Sequence, residues 1–197
     1  MYKRQDADGQ LVTPEKLDYG KEYSLVEVQA PYGYVLDSTP VSFDVTEENS
    51  TQEGGITLIK VDKPNMAQKG TISVEKTGEV FFGVNVSGEE DKDVIYQPVY
   101  KVKGLAGAVY EITADEDIIT PDGTLRYHKG DVVDTVTTDE DGKAKSKELY
   151  LGKYTVVETK APNGMVINKE KHSVELTYAG QDVACLLYTS DAADEAR

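Results

Sequence analysis

The chain has 197 residues, room for one large or two small domains, and its 36 Asp plus Glu against 21 Lys plus Arg leave a formal net charge of -15. That balance repels a phosphate backbone and an anionic lipid surface alike, which excludes nucleic acid and membrane as partners. A hydrophobic fraction of 39% with 13 Tyr, 3 Phe and no Trp is too rich for a disordered chain and suits small β domains carrying amphipathic aromatics on their sheets.

In chain order, the turn signal Asp8-Gly9 precedes a strand that sets Tyr23, Leu25 and Glu27 on one face by its period of two. Pro31-Tyr32-Gly33 turns the chain toward the strand Val41-Ser42-Phe43-Asp44-Val45, and the segments 56–63 and Ile72-Ser73-Val74-Glu75 read as further strands. Residues 79–104 read as a hairpin: Phe81, Phe82, Val84 and Val86 lead to the acidic turn Gly88-Glu89-Glu90-Asp91, and Tyr96, Val99, Tyr100 and Val102 return. Asp122-Gly123 and Asp141-Gly142 mark turns. Tyr154, Val156 and Glu158 then share one face of a β-branched strand, Asn163-Gly164 turns after it, and Val174-Glu175-Leu176-Thr177-Tyr178 is the last native strand. No segment carries a sustained helical stripe, so short strands at regular spacing predict a sandwich or barrel.

Both ends read as foreign. Tyr2-Lys3-Arg4-Gln5 can be encoded by TAT AAG AGA CAG, whose reverse complement read from its second base gives Cys-Leu-Leu-Tyr, the sequence at Cys185-Leu186-Leu187-Tyr188. Residues 1–5 and 185–197 are therefore expected to be assembly scars, outside fold reasoning. Without them the charge is still -15, but the single cysteine is gone, and with it disulfides, thiol catalysis and thiolate metal sites.

The strongest signal is an internal repeat. Leu17, Tyr19-Gly20-Lys21, Tyr23, Leu25-Val26-Glu27, Ala30-Pro31, Gly33 and Val35-Leu36 match Leu149, Leu151-Gly152-Lys153, Tyr154, Val156-Val157-Glu158, Ala161-Pro162, Gly164 and Val166-Ile167, with Glu22 the one slip. The chain thus holds about one and a half copies of a unit.

The string Leu-Gly-Lys-Tyr-Thr-Val-Val-Glu-Thr-Lys-Ala-Pro-Asn-Gly at 151–164 resembles the signature of Cna protein B-type, or SpaA-like, modules of Gram-positive pilins and adhesins, and Leu105-Ala106-Gly107-Ala108-Val109-Tyr110-Glu111 resembles their early segment. The resemblance implies an all-β fold: tandem immunoglobulin-like, prealbumin-like β-sandwiches, the first incomplete at its N-terminus and the second at its C-terminus. The organisation it implies is a C-terminal part of a first module over 6–69 and a second module over 70–184, with 79–104 inserted and its last strand missing.

Many such modules carry a self-formed isopeptide bond from a Lys to an Asn or Asp, promoted by a buried Glu. An amine attacks only when neutral, and burial favours the neutral amine and the neutral acid together. The resemblance assigns the promoting role to Glu158 and Glu27, the reactive amine to Lys76 with Lys60 as the alternative, and the first module's acceptor to Asp62; the acceptor of the second module is expected to be missing. On this reading neither bond closes within the chain, and the second module captures a missing final strand by strand addition.

The function implied is that of a structural stalk or adhesin repeat of a cell-wall-anchored, extracellular protein. It is expected to be non-enzymatic, monomeric, in contact with neighbouring repeats of its own polypeptide, and free of cofactor and metal. A host matrix-protein or glycan binding module, carried by 79–104 and the loop 112–134, is the alternative; an exposed aromatic cluster there argues for it. A hydrolase on a related sandwich is the remote third class and needs a clustered nucleophile and base that the sequence does not offer. Asp6-Ala7-Asp8-Gly9 and Asp139-Glu140-Asp141-Gly142 look like the start of a calcium loop but lack the closing Glu, and His128 and His172 have no Cys nearby.

Overall fold

In the computed structural model residues 9, 11–13, 15–53, 56–88 and 93–193 are described; Asp6, Asp8 and the Glu89 to Asp91 part of the expected acidic turn lie outside them. The described residues form β1 (Glu22–Leu25), β2 (Tyr34–Val35), β3 (Val41–Asp44), β4 (Thr51–Glu53), β5 (Ile56–Leu58), β6 (Met66–Ala67), β7 (Lys69–Ser87), β8 (Ile95–Gly104) and β9 (Val109–Ala114). They continue with β10 (Ile118–Ile119), β11 (Leu125–Tyr127), β12 (Val132–Thr137), β13 (Lys143–Lys145), β14 (Leu149–Tyr150), β15 (Gly152–Lys160), β16 (Lys171–Leu176) and β17 (Cys185–Ala193). No helix occurs among the described residues, so the chain is all-β.

Two compact units divide the chain, one of residues 1–29 and 36–65, the other of residues 30–35 and 66–197. In the first unit β1 pairs antiparallel with β3, which stacks Tyr23 on Phe43 with ring centroids 5.9 Å apart, and β4 pairs with β5. Val45 is its one buried hydrophobic among the described residues.

The second unit is a β-sandwich. One sheet has the order β12-β9-β15-β16; the other is built on β7, which pairs with β13, β14, β8 and, in parallel, β17. The period of two explains the core. Ile72 and Val74 of β7, Tyr110, Ile112 and Ala114 of β9, Tyr154 and Val156 of β15, and Val174 and Leu176 of β16 are all buried in one cluster. Each large apolar side chain removed from water there contributes about 1.5–3 kcal/mol. Residues 185–193, read from the sequence as part of an assembly scar, run as β17 beside β7, from Cys185 opposite Lys69 to Ala193 opposite Thr77. The loop before β17 is held by the buried Gln68: its Nε2 donates to the Gly180 carbonyl at 2.8 Å, and its Oε1 accepts the Ala179 N–H at 2.9 Å.

The core encloses the phenol of Tyr154. The Tyr154 hydroxyl donates to the Tyr150 carbonyl at 2.6 Å. Burial, with smaller help from Tyr127 and Glu116, pushes this phenol well above its ordinary value of 10.0. The folded state holds the proton more tightly than the unfolded chain, so this contribution is whole below the ordinary value and is lost as pH rises beyond it toward the folded-state value. Thermal melts between about pH 9 and about pH 12 are expected to show falling stability, and Tyr154→Phe to flatten that fall.

Candidate functional site

The two sheets of the second unit bring one amine and one carboxyl together inside the core. Lys76 follows Ile72 and Val74 on the buried face of β7, and Glu158 follows Tyr154 and Val156 on the buried face of β15. Lys76 Nζ lies 3.4 Å from Glu158 Oε1, with side-chain exposures of 0% and 1%. Glu158 Oε2 accepts the backbone N–H of Asn168 at 2.6 Å. Such burial is exceptional for Lys and Glu unless they are paired.

The main chain fixes the lysine. Lys76 N–H donates to the Gly142 carbonyl at 2.7 Å, and the Lys76 carbonyl accepts the Leu105 N–H at 2.9 Å. Gly142, at φ 78°, completes the Asp139 to Lys143 turn, and a methyl added to it would collide with the Lys76 carbonyl oxygen. The Asp-Gly read from the sequence as a hairpin signal therefore also positions Lys76. Asp139 Oδ1 caps that turn by accepting the N–H of Asp141 at 3.0 Å and of Lys143 at 2.8 Å. Its carboxylate is used locally, as an Asx turn uses it.

The first unit repeats the arrangement around Glu27. Glu27 Oε2 accepts the N–H of Asp37 at 3.1 Å, ten residues on, as Glu158 does from Asn168. Asp37 Oδ1 in turn accepts the Thr39 N–H at 2.9 Å, and Asn168 Oδ1 accepts the Glu170 N–H at 2.9 Å. The repeat thus runs past the last matching residues of the sequence and includes the chain's return onto the glutamate.

The side chain beside Glu27 is Asn65. Its Nδ2 donates to Glu27 Oε1 at 2.9 Å and Oε2 at 2.7 Å. Asp62, the acceptor expected from the sequence, is instead 77% exposed and lies 3.4 Å from the Nζ of Lys60, itself 86% exposed. Lys60 thus faces solvent, unlike Lys76. The reason is parity: over 61–65 the residues alternate, with Val61, Lys63 and Asn65 half-buried and Asp62 and Pro64 exposed. Val61, the apolar residue of the run, sets that alternation, and counting from it would have placed Asn65 inward.

Lys63, also on the inner side, donates to Asp37 Oδ2 and to the Thr39 carbonyl, both at 2.7 Å. Its hydrogen bond, together with those of Thr39, holds the Asp37 carboxyl far below its ordinary value of 3.8. A carboxylate kept ionised in this way is a poor acceptor for an amine, so Lys63 and Asp37 read as an ordinary ion pair.

No group of His, Cys, Asp and Glu able to hold a metal occurs among the described residues. The inserted hairpin 79–104 does expose aromatics, Phe81, Phe82, Tyr96 and Tyr100, whereas Tyr127 in the loop 112–134 packs against the core.

A family model of the SpaA prealbumin-like fold domain matches residues 2–60 and 98–186, more than half of the chain. The chain belongs to the SpaA prealbumin-like fold domain family. Within this SpaA-type chain Glu27 and Glu158 lie in matched segments, while Lys76 and Asn65 lie in the unmatched interval 61–97. A comparison with curated proteins gives no match. Solved structures similar to the chain include the Bacillus anthracis TIE protein, with 26% identity over 88% of this chain and 25% of that one, at a TM-score of 0.46. They include the T6 backbone pilin of serotype M6 Streptococcus pyogenes, with 22% identity over 68% of this chain and 21% of that one, at 0.32. The major pilin SpaD of Corynebacterium diphtheriae has 23% identity over 64% of this chain and 32% of that one, at 0.38. The SpaA-type chain thus spans about a quarter of the Bacillus anthracis protein.

Proposed function

We propose that the chain is a stalk or adhesin repeat of a Gram-positive cell-surface protein, displayed outside the cell, whose modules are stiffened by isopeptide bonds promoted by Glu158 and Glu27. Residues 6–69 and 70–184 are then parts of two successive modules. The observation that carries this reading is the Lys76–Glu158 pair: an amine and an acid 3.4 Å apart in an apolar interior. A buried ion pair of this kind adds little stability over apolar side chains of the same volume, so its presence favours a chemical role.

That role is a single-turnover reaction within the protein. Transfer of a proton from Lys76 to Glu158 within the pair gives a neutral amine, which attacks an Asn or Asp side-chain carbonyl carbon, forming the N–C bond. Glu158, in its acid form, polarises the carbonyl and gives its proton to the departing group, which leaves as ammonia or water, and the proton lost by the attacking amine restores the acid. In the first unit the acceptor is Asn65, because its amide nitrogen, the group that would leave as ammonia, already rests on the Glu27 carboxyl at 2.7 Å. Asp62 has the right chemistry but the wrong side of the chain.

The test is intact mass. The protein in its full natural length is expected to weigh less than its sequence by one ammonia for each Lys–Asn bond and one water for each Lys–Asp bond. Glu27→Gln and Glu158→Gln should each restore one of these losses, and Asn65→Ala should restore the loss in the first module where Asp62→Ala does not. A full-length protein at its unmodified mass ends the proposal.

A further inference from the structure

Past Thr77 the described residues pair β7 with β8 alone, so 79–87 and 95–102 stand out as a two-stranded ribbon. Cross-strand partners share a face. Phe81 lies opposite Tyr100, Val84 opposite Pro98, Val86 opposite Tyr96, and Glu79 opposite Val102. Alternation along β8 puts Tyr96, Pro98, Tyr100 and Val102 on one side, and their partners join them there. An irregularity between Phe81 and Gly83 keeps Phe81 and Val84 on that side despite their odd spacing. Phe82 turns to the other side, where Lys101 Nζ sits 3.3 Å from its ring centroid.

One face of the ribbon is therefore an apolar stripe of Phe81, Val84, Val86, Tyr96, Tyr100 and Val102, with relative exposures of 46–68%. From ordinary residue sizes these six expose about 700 Å² together, above the roughly 300–600 Å² of the largest patch on a typical monomer and close to the ~800 Å² that each partner buries in a standard interface. Glu79, at the sandwich end, is the one charged residue on this face among the described residues.

We infer that this face packs against the same face of a second copy of the chain, ribbon on ribbon about a two-fold axis. Three observations agree on that occupant. A two-stranded ribbon is marginal in water unless another layer covers it, and within this molecule the stripe is uncovered. The stripe offers a charged partner nothing to pair with beyond Glu79. Between chains of net charge -15, approach is repelled over most of the surface, and a stripe almost free of acid is where two copies can meet. A two-fold contact also needs no second surface, because the patch is its own complement. The chain is then a dimer rather than the monomer expected from the sequence, and this holds whether or not the isopeptide bonds form.

Sedimentation equilibrium of the whole chain tests it, across concentration and ionic strength. A monomer–dimer equilibrium is expected, tightened by salt, because salt screens the repulsion of two acidic bodies and leaves apolar burial intact. Val86→Lys with Tyr96→Lys should weaken association at least about tenfold by burying unpaired charge, whereas Asn85→Lys on the opposite face should not. Nitration of Tyr96 and Tyr100 in the unmodified sequence gives a second readout independent of any variant: both rings should be protected at high concentration and reactive on dilution. Any of four results overturns the inference: a monomer up to about millimolar concentration, a dimer that salt loosens, a dimer indifferent to the double lysine change, or equal nitration at both concentrations. A monomer that binds a glycan or a matrix protein through these rings belongs to the first of these and assigns the face to that ligand instead.

Discussion

Lys76→Ala is expected to lower the stability of the second unit by about 3–5 kcal/mol, read as a shift in the urea midpoint at unchanged slope. The change strips the ammonium from a carboxyl that is itself sealed from water and leaves a void among Ile72, Val74 and their neighbours. Glu158 keeps the Asn168 N–H but loses the amine 3.4 Å from its other oxygen. The companion experiment separates stability from chemistry. Lys76→Met combined with Glu158→Leu fills the same space without charge and is expected to match or exceed the parent chain, by up to about 4 kcal/mol. If the single change is severe and the double change harmless, the pair is not there to hold the fold, and a reactive role is the explanation left standing. A single change costing under about 0.5 kcal/mol would mean that the amine is not sealed in the core at all.

Gly142→Ala is expected to be nearly as damaging, by about 3 kcal/mol or more, although it adds only one methyl. Two penalties combine. The residue sits at φ 78°, where an L side chain costs about 1–2 kcal/mol. The methyl also meets backbone atoms, the Lys76 carbonyl oxygen and the Gly104 Cα, which cannot swing aside as a side-chain tip can. Since Lys76 N–H bonds the Gly142 carbonyl at 2.7 Å, the shift reaches the backbone of Lys76 directly. In a full-length protein this variant should form the second module's bond more slowly, beyond any loss of stability. Gly123→Ala, at φ 78° but in open space, isolates the backbone term and should cost only that 1–2 kcal/mol.

The positions of Glu27 and Glu158 could be read from the sequence because they rest on two simple regularities. A strand's period of two puts each on the face of a preceding Tyr and an aliphatic residue, and the repeat states the same pattern twice. Lys76 came instead from the family resemblance, with Lys60 as the alternative, and the burial of Ile72, Val74 and Lys76 on one face of β7 is what the structure adds. Asn65, proposed above as acceptor in place of Asp62, did not stand out because 61–65 lies outside any strand, where acid chemistry pointed to Asp62 while parity, set by Val61, places the amide three residues on beside Glu27. The return of Asp37 and Asn168 onto their glutamates left no trace in side-chain identity, because the donors are backbone N–H groups. The hairpin at 79–104 was evident from its alternating aromatics, but its apolar face was not. That face depends on the irregularity at Phe82, which sequence spacing alone cannot locate.

Tryptic peptide mapping of the protein in its full natural length tests the central claim most directly, because trypsin cuts only after a lysine whose amine is free. No cleavage at Lys76 is expected, and a branched peptide should join it to an Asn or Asp side chain. A linear peptide ending at Lys76, recovered in full yield from the folded protein, would contradict the claim.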